Sequence, residues 1–245
     1  MPEQHWIHYL PIGTTVLSAL FVAALLSRAR RRGWPAHLNW WAAGVFFYGV
    51  GTAFESSITL FGNTPTLNTF WYWAGAVLGA YPLATGSMYL LMQRGKARFV
   101  ADFLAGVSLG VVIWASVYVF RSPVDASLIE PHRPSGEPLE WQWVRLFSPV
   151  INGLYSVTFL VGGALWSSVN FMLMGGQGRR ALGTALIAVG AILPGIGGAL
   201  TRSHDLAEAL YVGEITGIVL IWLGYEICTR APKPHARAGT RDDTA

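Results

Sequence analysis

The chain has 245 residues, of which 53% are hydrophobic and 12% charged, where soluble domains carry about 25% charged residues. This composition excludes an ordinary soluble domain. The net charge of +4 does not indicate a nucleic-acid partner, because the basic residues cluster in short loops between apolar segments. The single cysteine, Cys228, excludes an internal disulfide, a cysteine-based zinc site and an iron–sulfur cluster.

Apolar segments recur along the chain, and each is long enough to cross a bilayer, since about 20 helical residues span the hydrocarbon layer. The sequence predicts an all-α, polytopic bundle of seven transmembrane helices in residues 1–228, followed by a disordered basic tail at 229–245. Pro194 and several glycines interrupt the sixth segment, so we expect a break there. The predicted spans cover residues 8–27, 38–61, 70–92, 99–120, 147–173, 181–200 and 206–228.

Lysine and arginine residues are divided unevenly between the two sets of loops. Thirteen of them follow spans one, three, five and seven, and four lie in the remaining loops. Because basic loops stay in the cytoplasm, the N-terminus is predicted outside and the C-terminus in the cytoplasm. The longest polar segment, residues 121–145, then faces outside and contains four prolines. We expect a solvated connector there, with a lid over the bundle as the alternative.

Pairs of small residues four apart let membrane helices approach closely. Such pairs serve contacts within one bundle or contacts between two copies, and the sequence does not distinguish these uses. They occur at Gly75/Gly79, Gly106/Gly110 and Gly213/Gly217.

Two acidic residues lie deep in the predicted spans. Glu55 is six residues before Phe61, or about 9 Å below the outer boundary, and Glu214 is eight residues after Leu206, or about 12 Å. No lysine or arginine lies at this depth, so we expect at least one acid to be protonated at neutral pH. The alternative is that each is a neutral acid that hydrogen-bonds a neighbouring helix.

Small, hydroxylic and aromatic residues share the helical faces of these acids, which is typical of a polar cavity or ligand pocket. The sequence therefore predicts a ligand- or signal-binding cavity in the outer half of the bundle. Whether the two acids share it is a question of geometry. The candidate binding residues are Glu55, Glu214, Tyr48, Thr52, Tyr211, Asn152 and Tyr155.

Several chemistries are disfavoured by residue placement. A covalent retinal pigment is excluded because the only lysines, Lys96 and Lys233, lie outside the spans. A buried haem is unlikely because the six histidines lie at span ends, in loops or in the tail. The hydrolase motifs GxSxG and HExxH are absent, so we predict no catalytic residue, no metal site and a non-enzymatic protein.

Three segments, FFYGVGTAFESS, FWYWAGAVLGAYP and GRRALGTALIAVGAILP, together resemble the seven-helix membrane input region of some bacterial sensor histidine kinases. The resemblance implies sensing of a signal from outside or from within the bilayer, transmitted through span seven. The sequence ends about 15 residues after that span without a kinase domain, so we expect signalling through a cytoplasmic partner. The residues that carry the resemblance are Glu55, Phe70, Trp71, Leu78, Gly79, Pro82, Arg179, Arg180, Leu193 and Pro194.

Three functions follow from these observations. The first is a sensor in the bacterial inner membrane, with the lipid bilayer and a signalling protein as partners and no cofactor. The second is a small proton-coupled transporter that uses the intramembrane carboxylates. The third is a structural or accessory subunit of a membrane complex.

Overall fold

The structure is a computed structural model that describes residues 6–204 and 207–231, with the side chains of 146–152, 202–204 and 207 left out of the description. Within these ranges the chain is helical, and its only β-pairing consists of two isolated bridges in the 122–141 loop. The predicted tail lies almost wholly outside the described residues. Its first residues, 229 and 230, continue the last helix.

Nine α-helices account for most of the described chain. A 3₁₀ turn at Trp6–Tyr9 precedes the first, and π-helical turns at Trp73–Val77 and Val157–Gly162 lie between α3 and α4 and between α6 and α7. The helices are α1 (Leu10–Arg31), α2 (Ala36–Phe61), α3 (Pro65–Tyr72), α4 (Tyr81–Leu91), α5 (Gly95–Arg121), α6 (Gln142–Ser156), α7 (Gly163–Leu173), α8 (Gly178–His204) and α9 (Ala207–Arg230).

Six helical segments of the described chain are long and apolar enough to cross a membrane, which confirms the prediction of a helical membrane protein. The helix α2 has 26 residues but is outside this group, and it carries Glu55 and several hydroxyl side chains. The count of seven spans therefore stays a prediction. The six are Trp6–Arg31, Pro65–Leu91, Gly95–Arg121, Gly153–Leu173, Gly178–Thr201 and Glu208–Arg230.

The prediction of a break in the sixth span is wrong, because α8 continues through Pro194. A proline removes the hydrogen bond to the carbonyl four residues earlier, here Gly190. That carbonyl oxygen faces α9, 2.7 Å from the position that a Cβ on Gly217 would take. Close packing on a neighbouring helix surrounds the freed carbonyl, so the helix is not interrupted.

The break lies in the third span instead. After the π-helical turn the chain makes a turn at residues 78–80, and α4 then starts with Pro82 in its first turn. A side chain at Gly79 would collide with the Gly75 carbonyl oxygen, so this conformation depends on glycine. The third span is also the most enclosed: 72% of its apolar 18-residue stretch is buried inside the protein, compared with 22–33% for the other five spans. An irregular backbone is tolerated there because protein, rather than lipid, surrounds it.

Glycines hold α8 and α9 together as a tight hairpin. Residues Gly183, Gly190 and Gly197 recur every seven positions on α8, and an added Cβ at any of them would lie 2.6–2.7 Å from a carbonyl oxygen of α9. The predicted pair Gly213/Gly217 faces α8 in the same way. By contrast, Gly106 and Gly110 of α5 have no atom within 4 Å of an added Cβ. The pair of small residues on α9 therefore contacts another helix of the bundle, whereas the pair on α5 faces no neighbouring helix at that distance.

The order of the helices brings three basic segments to one end of the bundle, which we call the arginine-rich end: residues 28–32, 94–98 and 179–180. The 122–141 loop lies at the opposite end, which we call the loop end. Towards the arginine-rich end, aromatic side chains join α9 to α1 and α2. The Phe21 ring stacks on Trp222 with centroids 5.2 Å apart, and Tyr225 meets the Trp41 ring edge-on at 5.9 Å. The Arg28 guanidinium lies 5.7 Å from the Tyr225 ring centroid. These contacts form the inner aromatic cluster.

Candidate binding site at a buried carboxyl pair

Glu55 lies one and a half turns before the end of α2, at the loop end of the bundle. Its side chain has no exposed surface. Among the described residues, no N–H or O–H group meets hydrogen-bond geometry with either carboxyl oxygen. The Trp71 indole of α3 is beside the carboxyl group as a potential donor. A buried carboxyl group without donors is costly, so its neighbourhood is the first place to look for a function.

Glu214 projects from α9 towards the same point. Its carboxyl group lies within hydrogen-bonding range of the Glu55 carboxyl group, so the two acids meet between α2 and α9. The Oε2 atom of Glu214 is buried and has no donor among the described residues. The structure thus brings together the two residues that the sequence placed at similar depth, and we refer to them as the carboxyl pair.

Two of the predicted tyrosines flank the carboxyl pair. The Tyr48 hydroxyl donates to the backbone carbonyl of Glu214 at 2.9 Å and lies within electrostatic range of both carboxyl groups. The Tyr211 hydroxyl is also within range of both acids, and its side chain is only 2% exposed. The hydrogen bond from Tyr48 to the Glu214 carbonyl therefore joins α2 to α9 beside the carboxyl pair, and it reinforces the contact between the two acids.

Two other candidate residues, Thr52 and Tyr155, make their hydrogen bonds to residues outside the carboxyl pair. Thr52 hydrogen-bonds to Thr15 of α1 at 2.9 Å and donates to its own helix at Gly49. Tyr155 hydrogen-bonds to Thr85 at 3.1 Å, in a separate polar contact between α6 and α4. The side chain of Asn152 lies outside the described residues. Among the described side chains, the carboxyl pair and its two flanking tyrosines thus bring together four of the seven candidate residues.

The structure adds two neighbours that the candidate set omitted. Trp71, which is among the residues that carry the family resemblance, is one of them. The other is Thr59, one turn beyond Glu55 on the same face of α2. Its hydroxyl is buried and has no hydrogen-bond partner among the described residues. Helical spacing alone identifies Thr59 as a neighbour, because residues four apart lie on one face.

The loop above the site is docked against the bundle. Asn68 of α3 is fully buried, donates to the Ser135 carbonyl at 2.7 Å and accepts from the Ser135 N–H at 3.0 Å. The preceding turn adds bonds from the Asn63 N–H to the Pro131 carbonyl and from the Asn63 amide to the Arg133 carbonyl. The 122–141 loop is thus fixed in place at residues 131–135, which is more order than a solvated connector requires.

This docking places positive charge near the site. The Arg133 guanidinium acts electrostatically on the Tyr211 hydroxyl, and it also pairs with Glu130 at 3.8 Å. Earlier in the loop, the Ser127 hydroxyl and N–H both donate to Asp125. These two bonds lower the pKa of Asp125.

No third acidic, histidine or cysteine side chain joins the carboxyl pair to form a metal-binding group in the described part of the chain. A recess of about 10 Å³ lies elsewhere, among apolar side chains that include Phe21, Trp41 and Tyr225, and it has room for no more than a water molecule. The chain matches no family model, and no curated protein or solved structure is significantly similar to it.

Proposed function

We propose that this protein is a non-enzymatic, seven-helix membrane sensor whose signal is received at the carboxyl pair. The observation that carries the proposal is the meeting of Glu55, which is fully buried, with Glu214, which is half-buried, between α2 and α9. Three of their four carboxyl oxygens are buried and have no hydrogen-bond partner among the described residues. Intramembrane acids are expensive and are functional by default. A contact that depends on the state of two titratable groups is a natural point for a signal to act.

The proposed orientation of the protein in the membrane follows from the distribution of its basic residues. Basic residues concentrate at the arginine-rich end, which would therefore face the cytoplasm of a bacterial inner membrane, with the loop end outside. The carboxyl pair would then lie in the outer half of the bilayer beneath the docked loop. A signal from outside, or from within the outer leaflet, has a short path to it.

The route to the cytoplasm would be α9. Glu214 and Tyr225 are 11 residues apart on this helix, or about 16 Å along its axis. Glycine contacts tie α9 to α8, so the hairpin would move as one body against α1 and α2. Its movement would reach the inner aromatic cluster and the exposed cytoplasmic end at Arg230. A cytoplasmic signalling protein that binds this end would be the partner.

Distances between spin labels at the arginine-rich end test this proposal. In a Cys228→Ser background, labels at Arg32→Cys and Arg230→Cys report the position of α9 relative to α1, and labels at Arg179→Cys and Arg230→Cys report the hairpin alone. We expect Glu214→Ala to change the first distance and to leave the second unchanged. The exposed residue Thr216 on the same helix provides the control substitution Thr216→Ala, which should change neither distance. An unchanged distance between the labels at 32 and 230 in Glu214→Ala contradicts the sensor.

A proton-coupled carrier is the second candidate, and the discontinuous third span favours it. Transporters form substrate sites at broken helices, and the turn at residues 78–80 lies in the most enclosed span. In proteoliposomes, a carrier should show uptake driven by a pH gradient that Glu55→Gln abolishes. Absence of any flux under a pH gradient, with the label distances responding as above, leaves the sensor as the function.

A further inference from the structure

We propose that the ligand of the carboxyl pair is a proton, held between Glu55 and Glu214 at neutral pH and released as the pH rises. The inference rests on the proposed function in that it names the ligand of the same site. One proton bound by two carboxylates gives a carboxylic acid hydrogen-bonded to a carboxylate, with a net charge of −1. Its release leaves two carboxylates with a net charge of −2.

The burial and proximity of the two carboxyl groups favour a shared proton. Two ionised carboxylates have no hydrogen to share, and at contact distance in a buried place they repel each other strongly. The two carboxyl groups nevertheless lie within hydrogen-bonding range. No N–H or O–H group of the described residues meets hydrogen-bond geometry with either oxygen of Glu55 or with Oε2 of Glu214, although the Trp71 indole lies beside Glu55. A proton on the pair supplies the missing hydrogen bond.

The groups that face the pair come from every neighbouring element. The hydroxyls of Tyr48 and Tyr211 face it from α2 and α9, and the Arg133 guanidinium of the docked loop acts electrostatically on the Tyr211 hydroxyl. The His8 ring packs edge-on against the Tyr211 ring at 5.7 Å, and Glu208 is one helical turn before Tyr211. Among the described residues, the Arg133 guanidinium is the permanent cation that acts on the Tyr211 hydroxyl, and it also pairs with Glu130.

A metal cation fits this site poorly. Hard cations bind six or more oxygen ligands, and a divalent ion would need several oxygens besides two carboxyl groups. No third acidic, histidine or cysteine group joins the pair in the described residues. The Tyr48 hydroxyl already bonds the Glu214 carbonyl.

The buried hydroxyl of Thr59 provides a second indication that the site accepts a charged or polar state. It lies one turn from Glu55, is 4% exposed and has no hydrogen-bond partner among the described residues. When the proton leaves, a hydroxyl at this position can turn its hydrogen towards the ionised Glu55. The shared proton then acts as a latch between α2 and α9, because its loss replaces an attraction with a repulsion.

Infrared spectroscopy of the reconstituted protein tests the latch without reference to any activity. We expect a carboxylic-acid C=O band at neutral pH that shifts in D₂O and loses intensity as the pH is raised. Each of Glu55→Gln and Glu214→Gln should shift the band, because the remaining acid bonds an amide. The double variant should lose it, while Glu137→Gln combined with Glu140→Gln, which changes two exposed loop acids, should leave it intact.

Absence of the band in the wild-type protein at neutral pH overturns the inference, and this arm needs no variant to fold. A band that persists in the double Gln variant also overturns it. Loss of the band when sodium chloride replaces choline chloride at constant pH shows that the site takes a metal cation instead. The label distances of the sensor test are independent of this result. A band that behaves as expected, together with unchanged distances, retains the proton site and rejects the sensor.

Discussion

Gly190 lies at a backbone contact between α8 and α9, and its replacement by alanine tests whether these helices form one rigid hairpin. An added Cβ would lie 2.6 Å from the Gly217 carbonyl oxygen and 3.0 Å from Ile221 atoms, where ordinary contacts begin at 3.4 Å. The two backbones must therefore separate by roughly 0.8 Å, or α8 must rotate, against packing that cannot collapse elsewhere. Overpacking of this kind lowers the free energy of unfolding by about 1–3 kcal/mol.

The matched control is Gly110→Ala on α5, where nothing lies within 4 Å of an added Cβ. Both glycines lie inside long helices, so both substitutions gain the same helix propensity, about 0.5–1 kcal/mol. Equilibrium unfolding in mixed detergent micelles should show Gly190→Ala less stable than the wild type and Gly110→Ala at least as stable. Equal stability of the two variants would refute the account of the hairpin.

Three further predictions concern the loop and the inner aromatic cluster. Asn68→Ala leaves the N–H and C=O of Ser135 without partners, so docking of the loop should weaken by about 1–3 kcal/mol. Limited proteolysis should therefore cut the 122–141 loop faster in this variant than in Thr66→Ala, the control at an exposed position. Equal cleavage rates in the two variants would contradict the docking. Ser127→Ala removes a hydroxyl donor 2.6 Å from Asp125 and should raise the pKa of that carboxyl group, measured by NMR titration. The pKa should rise because these hydrogen bonds favour the ionised carboxylate in the folded loop. Any stabilisation that they give is therefore present above the ordinary carboxyl pKa and is lost as the pH falls. An unchanged pKa of Asp125 in Ser127→Ala contradicts this account. Phe21→Ala removes the ring that stacks on Trp222 and should lower stability by about 3–5 kcal/mol, whereas Phe99→Ala at an exposed site should change it little; similar losses would contradict the cluster.

Much of the fold could be predicted from hydrophobic patterning, because each apolar segment must form its backbone hydrogen bonds internally to enter a bilayer. The effect of each proline on its helix could not be predicted in this way. Pro194 and Pro82 look alike in the sequence, but α8 continues through the first and the chain turns before the second. The difference lies in what surrounds the backbone: Gly217 packs onto the carbonyl that Pro194 frees, whereas Gly79 allows a turn that no side chain would permit.

The carboxyl pair could be anticipated because residue counts along two helices place Glu55 and Glu214 at similar depths. The rest of the site could not be read from helical faces alone. Thr52 shares a face with Glu55, yet it hydrogen-bonds to Thr15, because one face of α2 is wide enough to contact more than one helix. Asn68 and Arg133 contribute through the docked loop, and their positions depend on tertiary contacts between distant parts of the chain.

The most direct test of the carboxyl pair is a double-mutant cycle. The unfolding free energies of the wild type, Glu55→Ala, Glu214→Ala and the double variant are measured under one set of conditions at neutral pH. If the two carboxyl groups meet as described, their effects will be non-additive, with a coupling of about 0.5–3 kcal/mol. Additivity within about 0.5 kcal/mol would show that the acids do not interact, and it would contradict both the shared proton and the sensor proposed at the carboxyl pair.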